Sequence, residues 1–185
     1  MITLVTGGSG SGKSAYAEEV LTGFGNFPRI YIATMYPFDE ESKKRIKRHR
    51  KMRAEKNFNT IECYIGLRNL KLPEGCCVLL ECMSNLVANE MFQEDGAKEN
   101  TVPEILEGIS EMEIQAIELV IVTNEIFSDG IDYDEETKRY QSYLGKINQE
   151  LAKRAKAVTE VVYGIPVERK NQKRVIREKK NGTEK

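Results

Sequence analysis

The stretch Gly7-Gly8-Ser9-Gly10-Ser11-Gly12-Lys13-Ser14 constrains this chain more than any other. It fits G-x-x-x-x-G-K-[ST] through Gly7, Gly12, Lys13 and Ser14, the pattern of a loop that cradles phosphate. Each residue type has a physical reason. Glycines let backbone N–H groups turn inward and approach phosphate oxygens closely. Lys13 would reach the β- and γ-phosphates as a point charge, and the Ser14 hydroxyl would ligate Mg²⁺. A helix opening at Lys13 would direct its positive end at the same anion. Gly7, Gly8, Ser9, Gly10, Ser11, Gly12, Lys13 and Ser14 are therefore the expected nucleotide-binding loop, with Lys13 also catalytic.

Such a loop needs a strand before it and a helix after it. Ile2-Thr3-Leu4-Val5-Thr6 is a β-branched run suited to a buried strand. Ala15 to Leu21 reads as a helix that Gly23 and Gly25 end. Further strands are expected at 29–34, 59–63, 76–82, 118–123 and 160–164, the last of the chain. Helices are expected at 39–56, after Ser84 as cap, from Thr101 with Glu104 three residues on, and from Tyr133 to Ala157. Residues 93–100 read as a loop. Strands alternating with helices predict an α/β fold with a mostly parallel sheet and helices on both faces. No repeat or linker divides the chain, so residues 1–171 are expected to form one nucleotide-binding catalytic domain. The charged stretch 172–185 is expected to be a frayed tail.

Composition narrows the partners. Of 185 residues, 31% are charged, yet the net charge is −1, so a polyanion-binding surface would have to be local. No apolar run approaches the ~18 residues of a membrane span. The chain enters its first strand at once and no signal peptide is expected, which suits a cytoplasmic protein. Cys63, Cys76, Cys77 and Cys82 contain no C-x-x-C pair and the chain has one histidine, which argues against zinc. They read as reduced thiols in and near buried strands.

Two constellations suggest chemistry. Val78-Leu79-Leu80-Glu81 is an apolar strand ending in a carboxylate at the edge where ligands bind in open α/β sheets. Glu81 is the expected partner of Ser14 at the metal. Lys43 to Arg53 is a basic stretch containing His49. On a helix, Arg45, His49 and Arg53 share one face. That places an imidazole between guanidinium groups that could grip phosphate, and neighbouring cations would keep it neutral and nucleophilic. A solvated basic face is the plain alternative. A nucleic-acid patch is disfavoured, because no aromatic residues interleave the basic ones.

Taken together, these residues resemble the bifunctional adenosylcobinamide kinase / adenosylcobinamide-phosphate guanylyltransferases of cobalamin biosynthesis. The resemblance runs from Ile2 to about Pro166. It joins Leu4-Val5-Thr6-Gly7-Gly8, Tyr31-Ile32-Ala33-Thr34, Arg45-Ile46 with His49 and Arg53, Thr60-Ile61-Glu62, Leu79-Leu80-Glu81-Cys82 with Asn89, Val122-Thr123-Asn124-Glu125, Gly145, Asn148-Gln149, and Val161 to Pro166. The chain has glycine at position 10 and Phe58 where the family usually has other residues, and a looser segment after Glu125.

The resemblance implies a RecA-like phosphate-loop domain that assembles as a homo-oligomer, typically a trimer. It implies that His49 attacks the α-phosphorus of GTP with Mg²⁺ present, and that adenosylcobinamide phosphate then takes the GMP from His49. It also implies that ATP or GTP phosphorylates adenosylcobinamide. Ala33, Thr34, Met35, Arg50, Lys51, Met52, Arg53, Glu62 and Glu81 would line the nucleotide site. Glu125 is either a base toward the acceptor hydroxyl or a cap. The competing readings are a small-molecule or nucleotide kinase with no covalent intermediate and a GTP-binding regulatory protein. The second lacks its usual guanine-reading N-K-x-D.

Overall fold

The computed structural model describes residues 1–53, 56–127 and 130–171; the side chains of Arg45, Arg48, His49, Met52 and Arg53 fall outside the description. The expected tail at 172–185 also lies outside the described residues. Among the described residues the order is β1 (Ile2–Thr6), α1 (Lys13–Thr22), β2 (Arg29–Ala33), α2 (Glu40–Arg53), β3 (Phe58–Glu62), β4 (Cys77–Glu81), α3 (Met83–Phe92), α4 (Thr101–Gln115), β5 (Glu118–Val122), α5 (Glu135–Arg154), β6 (Ala157–Val162) and β7 (Ile165–Asn171).

The seven strands form one sheet in the order β3-β2-β4-β5-β1-β6-β7. The first six run parallel and β7 returns antiparallel to β6. This is the mostly parallel α/β sheet that the motif order predicts.

Strand parity decides what faces what. Ile2, Leu4, Ile30, Ile32, Val78, Leu80, Leu119 and Ile121 turn to one face and pack against Leu86, Ile105, Ile109, Leu144, Ile147 and Leu151 of α3, α4 and α5. Val5, Tyr31, Cys77, Leu79, Val120 and Val122 turn to the other and pack against Ala17 and Leu21 of α1. Both faces are therefore covered, and the central strands read as continuous apolar runs for that reason. Glu81 and Ala33 share the parity of Leu79 and Tyr31, so they emerge on the side of α1, beside the loop.

Four expectations change. The chain does not end its sheet at Gly164: Tyr163 (φ 51°) and Gly164 (φ 80°) make a two-residue hairpin into β7. Two central residues at positive φ match the twist of paired strands. The strand Ile165–Asn171 is mostly exposed and carries Pro166 on the sheet's outer edge, so it has no apolar run to betray it. Ser84 does not cap α3. Cys82, in extended conformation, precedes the first turn, and Ser84 Oγ lies 3.1 Å from Cys82 Sγ. Thr101 does not cap α4 either: a short 3-10 turn over Lys98–Asn100 precedes it, and its hydroxyl donates to Lys98 O at 2.6 Å. The last helix begins two residues later than expected, because Asp134 accepts the N–H of Thr137 at 2.7 Å. The four cysteines are free, and all but Cys82 are buried.

Candidate active site

The loop leaves β1 and turns over the start of α1. Gly7 must be glycine. A Cβ there would lie 2.5 Å from Val161 O and 2.7 Å from Ser11 Oγ. Gly12 takes φ +91° and opens α1, and a Cβ on it would press on Gly164 Cα at 3.4 Å. Gly164 N–H donates to Ser11 O at 2.8 Å, so the β6–β7 hairpin braces the loop from one side. From the other side Glu125 N–H donates to Gly7 O at 3.2 Å. Lys13 Nζ donates to Gly8 O at 3.0 Å, an arrangement that holds the ammonium over the loop. Burial pulls the Lys13 pKa below the ordinary lysine value, while Cys82 and Glu81 work the other way. The hydroxyl of Ser11 is buried without a hydrogen-bond partner among the described residues.

Glu81 ends β4 facing this loop. One carboxylate oxygen accepts the Ser14 hydroxyl, and the other accepts Tyr31 OH at 3.1 Å. A hydroxyl and a carboxylate in contact on the α1 side are hard oxygen donors of the kind Mg²⁺ takes alongside phosphate oxygens. Ser14 and Glu81 therefore fit the expected metal.

A cavity of about 660 Å³ opens above the loop, within the range of small-molecule sites. Ser9, Gly10, Ser11, Gly12, Lys13 and Ser14 form its floor. Ala33, Met35, Arg50 and Glu81, all expected from the sequence, also line it. Tyr31, Ile46, Cys82, Asn85 and Asn124 line it as well, and sequence reasoning did not place them there. Ile46 and Arg50 lie four apart on α2, so one face of that helix meets the cavity.

The other expected residues sit differently. Thr34 is fully buried beneath the cavity, where its hydroxyl donates to Cys82 O at 2.8 Å and accepts Cys82 N–H at 2.7 Å. Its role in the fold is to tie the end of β2 to β4. Glu62 ends β3 outside the lining and accepts from Arg50 and, at 2.8 Å, from Tyr64 OH. Burial, and then this bond to Glu62, push the Tyr64 pKa up to about 12. Lys51 is exposed on α2 outside the lining. His49 lies on α2, but its side chain and those of Met52 and Arg53 fall outside the description. Glu125 Oε1 accepts Phe127 N–H at 2.9 Å, stabilising the turn after β5.

A mostly parallel sheet with a glycine-rich loop after its first strand, a lysine over that loop and a strand-end carboxylate on its serine defines a phosphate-loop fold of the RecA-like class. Residues 3–169 match the family described as cobinamide kinase / cobinamide phosphate guanyltransferase, and the chain belongs to that family. It is 33% identical over 182 residues to the bifunctional adenosylcobalamin biosynthesis protein CobU of Escherichia coli strain K12, covering 90% of this chain and 98% of that one. It is 29% identical over 175 residues to the bifunctional adenosylcobalamin biosynthesis protein CobP of Pseudomonas aeruginosa, covering 90% and 96%. Among solved structures, the flagellar accessory protein FlaH from Methanocaldococcus jannaschii superposes with a TM-score of 0.51 at 9% identity, over 92% of this chain and 78% of that one. That likeness is one of fold alone. The family is one of kinases and guanylyltransferases of cobalamin biosynthesis, and the chain is an enzyme of that class. No helix among the described residues is long and apolar enough to cross a membrane.

Proposed function

We propose that this enzyme transfers GMP from GTP to adenosylcobinamide phosphate through a guanylylated His49, and that it also phosphorylates adenosylcobinamide with ATP or GTP. The observation that carries the proposal is a single cavity lined by the phosphate loop, by Glu81, and by Ile46 and Arg50 of α2, the helix whose sequence contains His49.

In the first step an imidazole nitrogen of His49 attacks the α-phosphorus. An N–P bond forms, the bond from the α-phosphorus to the bridging oxygen breaks, and pyrophosphate leaves. The loop holds the β- and γ-phosphates, so Lys13 and the inward N–H groups stabilise the charge that grows on the leaving group. In the second step a phosphate oxygen of adenosylcobinamide phosphate displaces His49 from phosphorus, giving adenosylcobinamide-GDP and the free imidazole. Covalent catalysis divides one difficult displacement into two easier ones. In the kinase reaction a hydroxyl of adenosylcobinamide attacks the γ-phosphorus, its proton is released, and the nucleoside diphosphate leaves.

Ser14 and Glu81 would hold Mg²⁺, which when bound neutralises charge on the phosphate oxygens. Tyr31 fixes the orientation of Glu81. Ala33, Met35 and Arg50 would contact the nucleotide from the cavity wall, while Glu62 would aim Arg50. Thr34 would act from beneath by setting the wall's backbone. Lys51, Met52 and Arg53 extend the basic segment that would receive the nucleotide. By resemblance we take the enzyme to be a cytoplasmic homo-oligomer, a trimer, with residues 1–171 as its catalytic domain.

The test is to incubate the protein with α-labelled GTP and Mg²⁺ and then denature it. An acid-labile, base-stable label that is lost in His49→Ala is the expected result. No label on the wild-type protein would remove the guanylyltransferase half of the proposal and leave a kinase without a covalent intermediate.

A further inference from the structure

β2 and β3 run parallel and side by side, so the loops that leave them start at the same edge of the sheet. Both carry aromatic side chains. Tyr36 and Phe38 follow β2, directly after the lining residue Met35, and Tyr64 follows β3. Asn89 of α3, itself buried, pins the two loops together: its Nδ2 donates to Thr34 O at 2.8 Å and to Tyr64 O at 2.9 Å. Both amide protons are thus committed to holding these loops together. The rings then pack on one another. Tyr36 stands 5.0 Å from Tyr64 at an interplanar angle of 72°, and Phe38 stands 4.7 Å from Tyr36 at 49°. Tyr64 OH is anchored on Glu62, the carboxylate that also holds Arg50 of the cavity wall. The cluster is fixed at its inner end and open at its outer one, where Phe38 is 72% exposed and Tyr36 39%. Contiguous apolar surface rimmed by polar groups marks a place of contact.

We infer that this aromatic shelf is where the ring system of the acceptor rests, with Phe38 and Tyr36 as its contacts. This rests on the reading of the cavity as a nucleotide site and of adenosylcobinamide as the acceptor. A cavity of about 660 Å³ suits one small molecule, and the phosphate loop assigns it to the nucleotide. The corrin macrocycle of the acceptor is larger than a nucleoside and must lie outside, against the mouth. Its conjugated, largely apolar face suits exposed aromatic rings, which contact such surfaces by face or by edge. Held there, the acceptor would send its side arm inward past Arg50 toward the phosphate loop. The shelf serves both reactions, because the same ring system enters each.

The experiment measures, by calorimetry on the full chain with Mg²⁺, the dissociation constants of adenosylcobinamide and of GTP, each alone, for the wild type, Phe38→Ala, Tyr36→Ala and Phe38→Tyr. Phe38→Ala and Tyr36→Ala should each weaken adenosylcobinamide binding about three- to tenfold, the scale of one aromatic contact, with GTP affinity held. Phe38→Tyr should bind as the wild type does, because the ring remains. Unchanged adenosylcobinamide affinity in a folded Phe38→Ala protein would overturn the inference. So would equal losses in Phe38→Tyr and Phe38→Ala. A loss of GTP affinity alone would also overturn it and assign the shelf to the nucleotide base. Acceptor affinity that depends on Phe38 in a protein that never labels on histidine would uphold it while removing the guanylyl-enzyme. A wild-type protein that binds GTP but not adenosylcobinamide would overturn both the shelf and the acceptor.

Discussion

Ser14, in the first turn of α1, donates its hydroxyl to Glu81 at the end of β4, although β5 separates β4 from the strand that launches the loop. The contact spans the sheet's active edge and defines where a metal would sit. Ser14→Ala and Glu81→Gln should each raise the Mg²⁺ concentration for half-maximal kinase rate by about 10–100-fold, the scale seen when groups around a bound metal are removed. Tyr31→Phe should raise it less, since Tyr31 only orients Glu81. Initial rates across a Mg²⁺ series check this, and an unchanged Mg²⁺ requirement in Glu81→Gln would remove Glu81 from the metal site.

Arg50 and Glu62 form an ion pair whose side chains remain 56% and 43% exposed. Exposed pairs contribute only about 0–1 kcal/mol to stability. Arg50→Ala should therefore shift the thermal midpoint by no more than about 2–4 °C. If Arg50 meets the nucleotide, the same variant should weaken nucleotide affinity about tenfold. Parallel melting and binding measurements separate the two effects; a large loss of stability with normal binding would make Arg50 structural.

At Gly7 an added methyl group meets a backbone carbonyl 2.5 Å away. Gly7→Ala should cost about 1–3 kcal/mol of stability, the scale of local backbone strain, and impair nucleotide binding together with it. Denaturant unfolding gives the first quantity. Wild-type stability in that variant would show that the loop can adjust.

Asp134 caps α5, and hydrogen bonds from Thr137 hold its pKa below the ordinary carboxylate value of 3.8. A group whose folded pKa is depressed contributes stability above its unfolded pKa and loses it as the pH falls through the folded one. The cap's contribution should thus be intact at neutral pH and fade only below about pH 4. Asp134→Asn should flatten the acid limb of a stability-against-pH curve; an identical limb in both proteins would dismiss the carboxylate.

The loop, the strand before it and the acid opposite were legible because each is a local pattern with one physical use. Ile2 to Thr6 could only be a buried strand, Gly7 to Ser14 a phosphate loop, and Glu81 a carboxylate at a strand's end. Asn85, Asn124 and Ile46 were not legible as site residues. Their place depends on which strand lies between β1 and β4 and on how α2 faces the cavity, and neither is written in local spacing. Ser84 looked like a cap because hydroxyls favour helix starts, yet Asn124 and Cys82 engage its hydroxyl instead. β7 escaped notice because an edge strand exposed on both faces needs no apolar alternation. Thr34 falls outside the cavity lining, with its hydroxyl bonded to the Cys82 backbone, because strand ends must be tied together as well as presented.

The central claim is that cleavage of GTP at the α-phosphorus precedes any encounter with the acceptor. Exchange of labelled pyrophosphate into GTP, measured with Mg²⁺ and with no cobinamide compound present, tests it most directly. A guanylylated His49 predicts exchange in the wild type that vanishes in a folded His49→Ala protein. Exchange that appears only when the acceptor phosphate is added, or that persists in His49→Ala, would contradict the account.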